Sequence, residues 1–435
     1  MRLQAPRGTF DVLPDDARRR LTLQRIAADV LGRAGYEPFD TPIFEDTELF
    51  ARGVGAATDI VQKEMFTFED KAGRSLTLRP EATAAICRAY GEHGMHKLAQ
   101  PIKVWTWGPF FRHEAPQAGR FRQFTQLDAE ALGSDDPSLD AELILLLAEF
   151  IERAGAGPAR LRLSSLGSPE TRAEYLEELT AYLRAREGEL SEEVRERLDQ
   201  NPLRAFDSDH PGTRAVMEDA PRLLDRLEDE DAEHFAGVRA LLDASGMDYE
   251  VDSTLVRGLD YYTRTVFEFE SERLGAQAAL GGGGRYDRLI EELGGPATPG
   301  VGWAAGIERI LLASTAEEEA EPRVYVALAK PDRMRTAFEL ARRLRDEGIR
   351  VEIEQAGRSL KGQLKQADRI GARTTVILGD SMDVKDMDSG KQREASGPDE
   401  VVDLVREAFA RDTPATEATA GNAPAGDVAA KDAPA

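Results

Sequence analysis

FRHEAPQAGRFRQFTQLDAE, Phe111 to Glu130, is the stretch from which the fold can be read. The run leading into it, Ile102 to Phe111, is rich in β-branched and aromatic residues, which favour a strand. The run leaving it alternates, with Gln126, Asp128 and Glu130 on one face and Leu127, Ala129 and Ala131 on the other. Between them, Pro116 to Arg120 has turn chemistry and positive charge. The pattern predicts a hairpin with Arg112 at its base and Arg120 in its loop, beside a polar strand face. Guanidinium groups so placed suit a phosphate-bearing anion. On this segment alone, a salt-bridged surface hairpin is the plain alternative.

Outward from the hairpin, five further blocks stand in order along the chain. They are RGTFDVLP (Arg7 to Pro14), TLRPEATA (Thr77 to Ala84), LVRGLDYYTRTVFEF (Leu255 to Phe269), GGGGRYD (Gly281 to Asp287) and GVGWAAGIER (Gly300 to Arg309). Together with the hairpin, they resemble the histidyl-tRNA synthetase family of class II aminoacyl-tRNA synthetases, with the hairpin as motif 2. RGLDYY followed by GGGRYD is the most specific pair, because other class II synthetases do not share it. The resemblance implies an α+β catalytic domain, a class II antiparallel sheet with helices, over residues 1–315. YEPFDTPIFE, broken by Pro38 and Pro42, matches motif 1 and implies a homodimer interface.

Local signals fill in the order of elements. A helix is expected from Asp15 to Ala34, closed by Gly35. Another starts at Pro137 with Asp136 as N-cap and ends before Gly155, burying Leu143, Leu146, Leu147, Phe150 and Ile151. Residues 158–253 read as a charged helical insertion. Strands are expected from Thr254 to Phe269 and near Gln277 to Leu280, with helices after Arg285 and after Val301. Beyond an acidic linker at 316–322, VYVALA, RVEIE and TTVILG alternate with helices from Met334 to Glu347 and Leu360 to Ile370. That alternation predicts an α/β domain over 322–411, which resembles the family's anticodon-binding domain. The tail, 412–435, is Ala, Thr, Pro, Asp and Gly without aromatics and reads as disordered.

Composition bounds the partners. A chain of 435 residues is too long for one core. A net charge of −24 disfavours nucleic acid only if it is evenly spread, and it is not. Pro322 to Gly379 holds 13 Lys and Arg against 7 Asp and Glu. With 46 Arg, 10 Lys and 80 carboxylates, the chain reads as adapted to high internal salt, with a plain acidic mesophile protein as the alternative. One cysteine, Cys87, excludes an internal disulfide framework or a cysteine zinc cluster, and reads as a small buried hydrophobe. No apolar run is long enough to span a membrane and the start lacks a signal-peptide core, so a cytoplasmic protein is expected.

The resemblance also implies chemistry: histidine activated with ATP to histidyl-adenylate plus pyrophosphate, then esterified to the 3′ end of histidine tRNA. Charge builds on phosphate oxygens during that transfer, so fixed cations are needed in advance. By resemblance Arg112 and Arg257 hold the α-phosphate, Arg309 clamps ATP from the other side, and Arg120 reaches the γ-phosphate. Mg²⁺ bridges the phosphates, with no protein ligands assigned. Glu130 and Tyr262 would read the two imidazole nitrogens, so that wrong substrates leave buried groups unpaired. Glu81, Ala82 and Thr83, helped by Gln126, would grip the α-amino group, and Tyr261 and Tyr286 would line the pocket. The glycine run lets backbone approach the ligand but is not a Walker loop, since no Gly-Lys-Ser/Thr follows. Two positions depart from the family: Thr125 where many bacterial relatives carry histidine, and Trp303 where phenylalanine is common. A family paralogue, the regulatory subunit of ATP phosphoribosyltransferase, senses histidine without aminoacylating. It typically lacks the anticodon domain and catalytic arginines that this chain keeps.

Overall fold

A computed structural model describes residues 3–55, 58–117, 119–198, 202–255, 258–316 and 323–410. Arg257, most of the acidic linker and the 412–435 tail lie outside the described residues. The chain forms two compact units, Met1–Glu317 and Glu318–Ala435.

The first unit contains eleven described strands. They are β1 (Glu37–Pro38), β2 (Phe44–Asp46), β3 (Phe66–Glu69), β4 (Ser75–Leu78), β5 (Ile102–Phe111), β6 (Gln123–Leu132), β7 (Arg160–Ser165), β8 (Glu250–Val251), β9 (Thr263–Glu270), β10 (Ala279–Arg285) and β11 (Gly300–Gly306). Eight of them make one sheet in the order β1-β5-β6-β11-β10-β9-β7-β8, and β2-β4-β3 make a smaller one. From β5 to β7 the large sheet is antiparallel; only the short edge strands β1 and β8 pair in parallel.

The alternation in β6 explains why this sheet has a dry side and a functional side. Leu127, Ala129 and Ala131 pack with Val301, Trp303 and Ala305 of β11. Against them lie the helix Pro14–Arg33, through Leu23, Ala27 and Val30, and the helix Pro137–Arg153, through Leu143, Leu147 and Phe150. Asp136 caps the second helix, accepting from Ser138 N at 2.8 Å, and Gly155 sits past its end at φ +67°, where a side chain would be strained. Truncating Leu147, fully buried here, costs about 2–5 kcal/mol by the usual cavity penalty.

Several sequence expectations are corrected. Residues 158–253 are not wholly helical: they open with β7, whose Leu161 and Leu163 face the core while Arg160 and Arg162 do not. The strand expected from Thr254 begins at Thr263. The strand expected near Gln277 to Leu280 runs on through the glycine run to Arg285 as β10. Residues from Val301 continue as strand to Gly306 before the helix Ile307–Ala313, and the helix after Arg285 is the short Leu289–Glu292.

The second unit has β12 (Arg323–Leu328), β13 (Arg350–Ile353), β14 (Ala372–Leu378), β15 (Met382–Asp386) and β16 (Gln392–Ala395) in the order β13-β12-β14-β15-β16. The first three are parallel, as the alternation with helices requires, and the last two are antiparallel additions. The helix Met334–Asp346 buries Ala337, Leu340, Ala341 and Leu344.

Candidate active site

The polar face of β6 forms the floor of a cleft of about 840 Å³. Its neighbours across the sheet are small. Gly306, Ala304 and Gly302 of β11 lie opposite Gln126, Asp128 and Glu130, and Gly282 and Gly284 of β10 follow on the same face. The glycines therefore leave space above the floor, which is a stronger constraint than flexibility. A Cβ at Gly302 would lie 1.6 Å from Glu130 Oε2, so Glu130 can occupy its position only beside a glycine.

At the closed end, Glu130 is 1 % exposed. Thr83 Oγ1 donates to its Oε1 at 2.7 Å, and the Tyr286 hydroxyl donates to its Oε2. Burial pushes its pKa up to about 8, against the lowering by those two donors, and the nearby Glu81 adds to the rise. Tyr261 packs at a 59° tilt against Tyr262, ring centroids 4.7 Å apart, and edge-on to Tyr286 at 5.7 Å, all three buried. Glu81 accepts from Ala84 N at 3.0 and 3.4 Å at the start of the helix Thr83–Glu92, where the orphan amides attract a carboxylate. Burial raises the pKa of Glu81 too. Ala82 is fully buried beside Ile86 and Cys87 and does not line the cleft. Cys87 is buried, as expected.

At the open end stand three guanidinium groups, two of them held by backbone carbonyls and the third beside a carboxylate. Arg112 Nε donates to Pro80 O at 3.0 Å and lies over the Phe124 ring at 5.4 Å. Arg309 Nε donates to Gly119 O at 3.0 Å and its Nη1 to Ala279 O at 3.1 Å. Arg120 rests 3.3 Å from Glu114. Burial, then the like charges of Arg120 and Arg112, lower the pKa of Arg309. A polyanion would relieve that repulsion. Glu114 and Glu268 line the same end and act on Arg309 with the opposite sign.

Sequence reasoning missed the residues that brace this arrangement. Arg79, 1 % exposed, donates to Thr41 O at 2.8 Å and Pro109 O at 3.0 Å, and passes so close to Gly108 that a Cβ there would be 2.2 Å from its Nη2. Glu308 accepts from Thr125 N at 3.0 Å and from Arg20 Nη2 at 2.8 Å, while Arg20 Nη1 donates to Thr125 Oγ1 at 2.9 Å. Thr125 therefore belongs to the bracing side of β6 and does not line the cleft. Asp128 was read only as part of the polar face. It lies 1 % exposed in the cleft wall, where burial and then the charges of Glu130 and Glu81 drive its pKa well up.

Comparison with known proteins gives this cleft its context. Residues 8–310 match the family described as histidyl-tRNA synthetase, and residues 323–408 match an anticodon binding domain. The chain belongs to the histidyl-tRNA synthetase family. It is 48 % identical to the histidine–tRNA ligase of Rubrobacter xylanophilus over 91 % of this chain and 97 % of that protein. It is 46 % identical to that of Halorhodospira halophila over 90 % of this chain and 95 % of that protein. The apo S. aureus histidyl-tRNA synthetase superposes with a TM-score of 0.77 at 35 % identity, covering 93 % of this chain and 99 % of that one. A Bacillus halodurans protein described as an ATP phosphoribosyltransferase regulatory subunit/histidyl-tRNA synthetase shares the fold at 23 % identity and a TM-score of 0.64, covering 87 % of this chain and 98 % of that one. Of the positions that the family resemblance singled out, Glu81, Thr83, Arg112, Arg120, Gln126, Tyr261, Tyr262, Tyr286 and Arg309 line this cleft. Glu130 lies just behind its wall, hydrogen-bonded to the lining residues Thr83 and Tyr286, Ala82 does not line it, and Arg257 is outside the described residues.

Proposed function

We propose that this synthetase-family cleft activates histidine with ATP and passes it to the 3′ end of histidine tRNA. The observation that carries the reading is the division of one cleft, with an aromatic, carboxylate-bearing closed end and an arginine-bearing open end on the same strand face. Histidine enters with its imidazole toward Glu130 and Tyr262, and its α-amino group toward Glu81, Thr83 and Gln126. Its carboxylate then attacks the α-phosphate held by Arg112 and Arg257, and pyrophosphate leaves toward Arg309 and Arg120. Preorganised cations are worth most here because their neighbours fix them before charge develops. Mg²⁺ bound to ATP neutralises phosphate charge; one or two carboxylates suffice for it, and Glu114 and Glu268 have the right chemistry and place.

The C-terminal unit contacts the anticodon through its basic stretch, Pro322 to Gly379, with phosphate contacts that weaken as salt rises. Exposed Ile43, Phe44 and Phe68 at the small sheet suit burial against a second copy, giving a homodimer. No described helix is long and apolar enough to cross a membrane, and a cytoplasmic site of action is part of the proposal. The test is ATP–pyrophosphate exchange with purified protein. Exchange that depends on histidine supports the reading, and histidine binding without exchange would make the protein a sensor instead.

A further inference from the structure

The buried acceptors of the cleft can be sorted by whether the protein already uses them. Both oxygens of Glu130 take hydroxyl donors, and both oxygens of Glu81 take Ala84 N. On the β6 floor two buried acceptors, Asp128 Oδ2 and Gln126 Oε1, have no hydrogen-bond partner among the described residues; Glu114 Oε2, also without one, faces the Arg120 guanidinium at 3.3 Å. Neither Asp128 nor Gln126 is on the surface, at 1 % and 9 % exposed, and both line the cleft. An unpaired buried carboxylate oxygen is expensive, and native proteins keep few of them. No arginine bonds that of Asp128: Arg79 is spent on Thr41 and Pro109 and Arg112 Nε on Pro80 O, and the charges of both, acting from farther off, only partly offset its burial.

We infer that Asp128 binds the α-ammonium group of the amino-acid substrate, sharing it with Gln126. The inference rests on the proposed histidine-activating function and adds to it a residue with a charge of its own. Residues two apart on a strand point the same way with Cα atoms roughly 6–7 Å apart. An ammonium between them can give one N–H to each and a third toward Glu81. The neighbours of Asp128 across the sheet are Thr106 and Ala304, too small to fill the space above it. The other substrate groups fit worse. The substrate carboxylate would be repelled, and the neutral imidazole gains less than a cation from an ionised acceptor. The upward pKa shift of Asp128 agrees, because a cation arriving beside it would reverse that shift.

The test separates the ends of the ligand. Binding of histidine, histidinol (ammonium without carboxylate) and imidazolepropionate (carboxylate without ammonium) is measured by calorimetry on wild type and Asp128→Asn. Histidine and histidinol should bind about 10- to 100-fold more weakly to the variant, with imidazolepropionate unchanged. Asp128→Ala, which cannot misplace an amide, should show the same selectivity. Equal loss for all three ligands would make Asp128 a general support of the pocket and overturn the inference, as would unchanged histidine affinity. Wild-type exchange that depends on histidine, together with either of those results, would leave the function standing and remove only Asp128. If wild type binds none of the three ligands, the function falls and the inference with it.

Discussion

The two ends of the cleft are built on opposite electrostatic plans. At the closed end, Glu130 already has its donors and sits among tyrosines, so a neutral, correctly shaped ring loses little on entering. At the open end, Arg112, Arg120 and Arg309 repel one another, Arg112 and Arg309 holding position through backbone carbonyls and Arg120 through Glu114. One end discriminates by leaving buried groups unpaired when the wrong side chain enters. The other is prepared at a cost that only a polyanion offsets. Selectivity and rate should therefore separate when each end is altered.

The largest effect belongs to the open end. Arg309→Ala or Arg257→Ala should slow pyrophosphate exchange by about 10²- to 10³-fold, with histidine affinity in the absence of ATP nearly unchanged. Lysine should not restore the rate, because a point charge cannot reproduce the planar fork. If histidine affinity collapsed while exchange survived at saturating histidine, the division between the ends would be wrong.

Next in size, Glu130→Ala should weaken histidine binding by about 10- to 100-fold and leave ATP binding near normal, as read by equilibrium binding of each substrate. Unaltered histidine affinity would take Glu130 out of the recognition site.

A smaller effect concerns stability. The folded pKa of Glu130 is raised to about 8, so its contribution to stability is fully present below the ordinary carboxyl range and is lost as pH rises through about 8. Glu130→Gln carries no such titration. Its denaturation midpoint should gain on wild type between pH 6 and pH 9, by an amount on the order of 1–3 kcal/mol. Parallel pH profiles for the two proteins would show that Glu130 is not held protonated.

The smallest change is expected behind the floor. Thr125→Val removes the acceptor for Arg20 Nη1 but leaves Glu308 paired with both Arg20 and the Thr125 amide. Stability should fall by only about 0.5–1.5 kcal/mol, with the KM for histidine unchanged. A large rise in that KM would mean the brace reaches the closed end.

How much of this was legible in the sequence depended on whether the signal was local. The β6 alternation gave both faces of the floor, and the strand–helix alternation after Arg323 gave the second unit, because period and turn chemistry need only neighbours. β7 was lost because Arg160 and Arg162 lent a two-residue alternation the look of a charged helix. The glycine run of β10 was legible as a close approach of backbone to ligand, but its place inside a strand, where it clears space above Glu130 and Asp128, depends on partners in β9 and β11. Glu308 and Arg20 stand 288 positions apart, and no periodicity links them. The polar face of β6 was visible, but which of its members had partners depends on residues brought in from other strands.

That distance along the chain also has a consequence for synthesis. Glu130 faces Gly302, so the floor joins segments about 170 residues apart. At roughly 5–20 residues per second, a ribosome needs about 10–30 s to pass from one to the other. During that interval β5 and β6 can pair as a hairpin, but β6 still has an open edge and the pocket has no second wall. A nascent chain can therefore capture no histidine to steady it before β11 emerges, and until then its exposed strand edge is the part most in need of a chaperone.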